Sequence, residues 1–166
     1  MTLERITANY DHCHILDNSE ASSSFTEHRT RKAPRPCRVI GKVEADADGA
    51  ITQLFYHVDA YLDFMERCAK GGITVPVVPG IMPITGFANT VRFCSGCGAD
   101  LPRWVKLRLE ELQDDKERLL EFGESVVTRL CETLLRNGAP GLHFYTINQA
   151  GPTLRLCRNL GLAAKA

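Results

Sequence analysis

Three short apolar runs, rich in β-branched and aromatic residues and separated by segments of helical period, constrain this chain more than any other feature. Their pattern predicts strands over residues 51–56, 74–79 and 141–147. Between the first two, Tyr61, Leu62, Met65, Cys68 and Ala69 recur at helical spacing, with Asp59 as a candidate cap and Gly71-Gly72 as the stop. Pro79-Gly80 reads as the end of the second strand, since proline lacks an N–H and glycine tolerates positive φ. Phe87–Phe93 then fits a short helix, and Pro102 opens another through Trp104 and Val105 to Leu112. Asp114 and Glu117 have capping-box spacing for a longer helix, whose apolar face carries Leu119, Leu120, Val126, Val127, Leu130, Cys131, Leu134 and Leu135 before Gly138. Thr153–Asn159 gives a short final helix ending near Gly161. Alternation of this kind implies parallel strands joined by right-handed helical crossovers, hence an α/β architecture of barrel or open-sheet type. Periodicity does not choose between the two.

The pattern divides the chain into residues 1–41, an irregular N-terminal segment, and residues 42–166, which carry the α/β pattern. The first segment is Ser-rich around Ser19–Ser24 and basic from His28 to Arg38. Arg29, Arg31, Lys32, Arg35 and Arg38 form a run free of acids that could meet phosphates, but a solvated tail is the more ordinary reading. Glu4, Asp11, Asp17, Glu20 and Glu27 weigh against an organelle transit peptide. Over the whole chain 20 basic residues balance 20 acidic ones, which removes the electrostatic case for a nucleic-acid or anionic-membrane partner. No run reaches the roughly 18 apolar residues that a membrane helix requires, and no secretory signal opens the sequence. Seven irregularly spaced cysteines point to reduced thiols, so the expected compartment is the cytoplasm.

Parallel α/β folds bind ligands at the carboxyl ends of their strands, which directs attention to Gln53, His57, Pro79-Gly80 and Asn148-Gln149. A glutamine amide offers both a donor and an acceptor, and so matches an amide-like heterocycle edge such as a pterin's. The competing role for Gln53 is a hydrogen bond to neighbouring backbone, which the residue alone slightly favours. His143, inside an apolar strand, reads as a hydrogen-bonded core histidine, and Phe93 as a packing residue that could stack on a flat ligand. Cys94-Ser-Gly-Cys97 has the spacing of half a zinc site or a redox pair. His12-Cys13-His14 is connected to it by no spacing rule, and the pair follows a helical segment rather than opening one, so neither a metal nor a redox centre is expected. Glycine-rich phosphate loops and nucleophile elbows are absent. Read from its residues alone, the chain is an α/β ligand-binding fragment.

A series of longer motifs goes further: Lys42-Val-Glu-Ala45, Ala50-Ile-Thr-Gln-Leu-Phe-Tyr56, Asp59-Ala-Tyr61, Pro79-Gly-Ile-Met-Pro83, Pro102-Arg-Trp104 and His143-Phe-Tyr-Thr146. In this order and spacing the segment from Lys42 to Leu162 resembles the C-terminal half of FAD-dependent methylenetetrahydrofolate reductase. The resemblance implies a partial βα (TIM-type) barrel made of the last three βα units. The implied reaction is reduction of 5,10-methylenetetrahydrofolate to 5-methyltetrahydrofolate by NAD(P)H through FAD. It also implies substrate contacts at Gln53, Phe93, Asn89 and Gln149 and an FAD contact at Lys42. Family members carry glutamine at the position of Asn89 and arginine at that of Gln149, so only hydrogen bonding carries over there. Arg35, Arg38 and Gly41 do not reproduce the family's neighbouring FAD-contacting pattern, and no residue here matches its catalytic glutamate. The expectation is a folate-binding chain, inactive alone, whose partner is a further copy or the missing half of the barrel. The alternative is a noncatalytic α/β fragment or partner-binding module.

Overall fold

The computed structural model describes residues 48–162. Residues 1–41, Lys42 and the His12-Cys13-His14 cluster therefore lie outside the described residues. Strands β1 (Ala50–Leu54), β2 (Val77–Ile81) and β3 (His143–Phe144) form a parallel sheet in sequential order. Helix α1 (Val58–Lys70) connects the first two strands. Helices α2 (Phe87–Cys97), α3 (Arg103–Glu111) and α4 (Lys116–Arg136) lie between β2 and β3, and α5 (Ala150–Asn159) follows. The expected α/β class with parallel strands is the one observed.

Several element bounds differ from the sequence expectation, each for a local reason. β2 begins three residues late and runs through Pro79-Gly80 instead of ending there. Pro79 sits where the ladder with β1 is irregular: Ile51 pairs with Val78 and Leu54 with Gly80, so Thr52 and Gln53 together oppose one residue that has no N–H to give. β3 has two strand residues rather than seven. Tyr145 still donates its N–H to Ile81 O at 2.8 Å, after which Ile147 and Asn148 both adopt left-handed backbone, at φ 47° and 59°, and Gln149 N–H closes on Thr146 O. α2 continues past Phe93 to Cys97, where Gly98 at φ 67° turns the chain and Ala99 N–H reaches Cys94 O at 2.9 Å.

Capping also departs from expectation. Asp115, not Asp114, caps α4 by accepting from Arg118 N–H at 3.1 Å, which places arginine rather than glutamate at the third position and forms no capping box. Asp59 lies in the first turn of α1 without capping it; His57 occupies the cap position, and the Asp59 carboxylate faces the positive end of the helix dipole. α5 starts at Ala150 because Pro152 is accommodated in a first turn, where the missing N–H has no partner to lose.

The main core lies between the sheet and the helices. It joins Leu54, Ile81, Val105, Leu109, Val127, Leu130, Cys131, Leu134 and Leu156, with Ile81, Leu109 and Leu134 fully buried. Each such side chain contributes about 1.5–3 kcal/mol by leaving water. A smaller cluster of Ala50, Phe64, Cys68 and Val77 seats α1 on the start of β1 and β2. α4 approaches the segment after β2 so closely that a Cβ on Gly123 would lie 2.8 Å from Ile84 Cβ. This glycine is therefore a packing requirement inside a helix that would otherwise favour alanine.

Candidate functional site

The three strands run in one direction, so their carboxyl ends share one edge of the sheet. Leu54, Gly80 and His143 are direct register partners and form a row across it. Gln53 precedes that row on β1. Asn89 and Phe93 lie on α2, the first helix after β2, and Gln149 is the N-cap residue of α5, after β3. The topology thus brings all four sequence candidates onto segments at or after the carboxyl ends of the strands. Gln53 and Phe93 are partly buried, whereas Asn89 and Gln149 are exposed.

Local geometry decides how Gln53 is held. Its Oε1 accepts the N–H of Leu54 at 3.1 Å, the backbone bond that the residue alone favours. With the oxygen engaged, the amide Nε2 keeps its two donors. Thr52, its partner in the bulge, takes the opposite part in the sheet: its Oγ1 accepts the N–H of Gly80 at 2.9 Å and donates to Gln53 O at 2.9 Å. Thr52 O accepts the Tyr145 hydroxyl at 2.9 Å. Phe93 packs beside the main core with the Arg92 guanidinium carbon 5.3 Å from its ring centroid. His143 stands edge-on to the Tyr145 ring, centroids 4.8 Å apart, and burial pushes its imidazole below the ordinary histidine value. It is a partly buried residue of β3, not a fully buried one.

The Cys94-Cys97 pair occupies the last turn of α2. Cys94 is buried and Cys97 partly so, and the Cys97 thiol points to Cys94 O at 3.8 Å. Burial pushes Cys94 up to about 12, helped by Cys97 and Asp100, and it raises Cys97 as well. Cys131 is likewise pushed up to about 12 by burial. A reactive thiol requires the opposite environment. Among the described residues no three His, Cys, Asp or Glu side chains cluster as metal ligands do. At pH 8 a thiol at about 12 is ionised in roughly one molecule in ten thousand, so iodoacetamide should leave Cys94 and Cys131 unmodified in the folded protein and label them in urea. Rapid labelling of native Cys94, followed by mass spectrometry, would contradict this environment.

The family model for methylenetetrahydrofolate reductase matches residues 35–161, well over half of the chain. The chain belongs to the methylenetetrahydrofolate reductase family. It is 40% identical over 121 residues to the probable methylenetetrahydrofolate reductase (NADH) of Oryza sativa subsp. japonica, covering 73% of this chain and 20% of that protein. It is 36% identical over 121 residues to the 5,10-methylenetetrahydrofolate reductases of Salmonella typhimurium and Escherichia coli, covering 73% of this chain and 41% of each. The chain thus spans less than half the length of these relatives. Among solved structures, an uncharacterized protein from Clostridium thermocellum that binds two copies of 5-methyl-5,6,7,8-tetrahydrofolic acid superimposes with a TM-score of 0.51 at 21% identity. That match covers 76% of this chain and 47% of that one, and the likeness concerns the fold.

In this member of the methylenetetrahydrofolate reductase family the Pro79-Gly-Ile-Met-Pro83 motif has a packing role that its sequence does not announce. Gly80 is in the middle of the sheet and its φ is not positive. A Cβ there would overlap the Thr52 carbonyl oxygen and lie 2.7 Å from Tyr145 Cε2. Glycine is present for close approach, and Thr52 and Tyr145 are the residues that approach. The one available signal was a proline and a glycine together inside a β-branched run, which reads as a turn until the opposing bulge is seen.

Proposed function

We propose that this chain supplies the folate-facing portion of a methylenetetrahydrofolate reductase-type oxidoreductase site. In this reading the sheet is part of a βα barrel, and Gln53 reads the pterin edge of the folate. The supporting observation is the Thr52-Gln53 bulge. It lies at the carboxyl edge of a parallel sheet, where it holds the Gln53 oxygen on Leu54 N–H and leaves the amide donors for a ligand. The sequential strand order is the order in which a βα barrel adds its strands. The folate bound by the Clostridium thermocellum protein is of the same chemical class.

The four site residues are uncharged: two glutamines, an asparagine and a phenylalanine. This set fits a neutral planar heterocycle, with Phe93 as a stacking face, and suits folate and nicotinamide alike. A flavin diphosphate calls for cations; the residue assigned to it is Lys42, outside the described residues. FAD and NAD(P)H belong to the proposal as cofactor and cosubstrate, and the flavin when bound supplies hydride transfer. Within this chain, Gln53 orients the substrate and Phe93 shields one face from water. The proposed setting is the cytoplasm.

Titration of the full chain with 5-methyltetrahydrofolate by calorimetry tests the reading. Gln53→Ala should weaken binding about tenfold or more, as expected for loss of the groups that pair a buried amide edge, with an unchanged far-ultraviolet spectrum. Equal affinity of the two proteins would remove Gln53 from the site.

A further inference from the structure

Thr52, Gln53, Pro79, Gly80 and Tyr145 come from all three strand segments, and together they determine where the Gln53 amide points. Two residues of β1 oppose Pro79. Opposite Pro79, β1 carries one residue more than β2, and the Gly80 N–H donates to Thr52 Oγ1 at 2.9 Å where the ladder resumes at Leu54. A bulge disrupts the ladder locally and gains from a second restraint. Tyr145 provides it: its backbone N–H is fixed on Ile81 O, its ring crosses the face of Gly80, and its hydroxyl donates to Thr52 O at 2.9 Å. The link joins residues 93 positions apart and spans the sheet from β3 to β1 over the central strand.

We propose that Tyr145 is a positioning residue: its hydroxyl, reaching Thr52 O across Gly80, fixes the bulge that aims the Gln53 amide at the ligand. The inference rests on the reading of Gln53 as a folate contact and extends it to a residue that touches no ligand itself. It also explains why a glycine occupies a central strand, since any side chain at position 80 would occupy the path of the strap. The Gln53 oxygen on Leu54 N–H is the last link, converting a fixed bulge into a fixed amide.

The test uses the full chain as Tyr145→Phe, Gln53→Ala and the double variant, with two readouts. Tyr145→Phe keeps the ring on Gly80 and removes only the hydroxyl. Amide hydrogen exchange should accelerate about tenfold at Leu54 and Gly80 in this variant while Leu134 in α4 keeps its wild-type rate. In calorimetric titration with 5-methyltetrahydrofolate, Tyr145→Phe should weaken binding about tenfold in the wild-type background and less than about twofold in the Gln53→Ala background. Unchanged exchange at Leu54 and Gly80 would overturn the inference, as would equal losses of affinity in the two backgrounds. Should Gln53→Ala leave affinity unaltered, the folate reading fails, and the exchange rates alone still decide whether Tyr145 sets the bulge.

Discussion

Gly80→Ala should destabilise the folded chain by about 3 kcal/mol or more, the upper range for overpacking. The added methyl would overlap the Thr52 carbonyl oxygen and sit 2.7 Å from Tyr145 Cε2. The first of these is backbone of the neighbouring strand and cannot rotate away, so relief requires parting β1 from β2 or displacing Tyr145 from its bond to Thr52. Against a typical domain stability of about 5–15 kcal/mol, that is a large fraction. Gly86→Ala is the control: its backbone is extended and nothing lies within 4 Å of the added carbon, so the change should cost little. Urea denaturation of the three proteins gives the comparison, and a Gly80→Ala cost below about 1 kcal/mol would show that the strap over Gly80 is looser than described.

The second large effect is catalytic. Supplied with FAD, NAD(P)H and methylenetetrahydrofolate, the chain by itself should turn over at least about a thousandfold more slowly than a full-length family member assayed beside it. Positioning a hydride donor against its acceptor is worth a factor of this size or larger. The chain spans 41% of its bacterial relatives, and its described residues form a sheet of three strands with β1 and β3 at the edges. None of Gln53, Asn89, Phe93 and Gln149 can move a proton in the neutral range, so these four candidates supply neither an acid nor a base. Binding and turnover should therefore separate. Robust NAD(P)H oxidation that falls on Gln53→Ala would instead show that the chain assembles a working site.

The α/β class and the parallel sheet were legible because they follow from periodicity, which is local. The buried residues Tyr61 and Cys68 on α1, which Phe64 joins, and the row Leu119, Val127, Leu130, Cys131, Leu134 on α4 reflect the apolar spacing of the sequence. Boundaries were less legible because their causes are distant. Residues 79 and 80 stay in a strand because Gly80 pairs with Leu54 on one side and His143 on the other and also donates to the Thr52 hydroxyl, and β3 shortens because the chain turns left-handed at Ile147 and Asn148. α5 gains a turn because a helix start tolerates Pro152. The candidate site shows the same division. Gln53, Asn89, Phe93 and Gln149 are assigned through motif resemblance, while the contact of Tyr145 with Thr52, beside Gln53, became visible only through a hydrogen bond between segments far apart in the chain.

Backbone amide shift mapping during titration with 5-methyltetrahydrofolate tests the central claim most directly. The account predicts saturable shifts concentrated at Gln53 and Leu54, along the start of α2 through Asn89 and Phe93, and at Gln149, with the exposed face of α4 unmoved. Shifts confined to the groove between α4 and α5 near Glu121 and Arg155, or no saturable shifts at millimolar ligand, would contradict it.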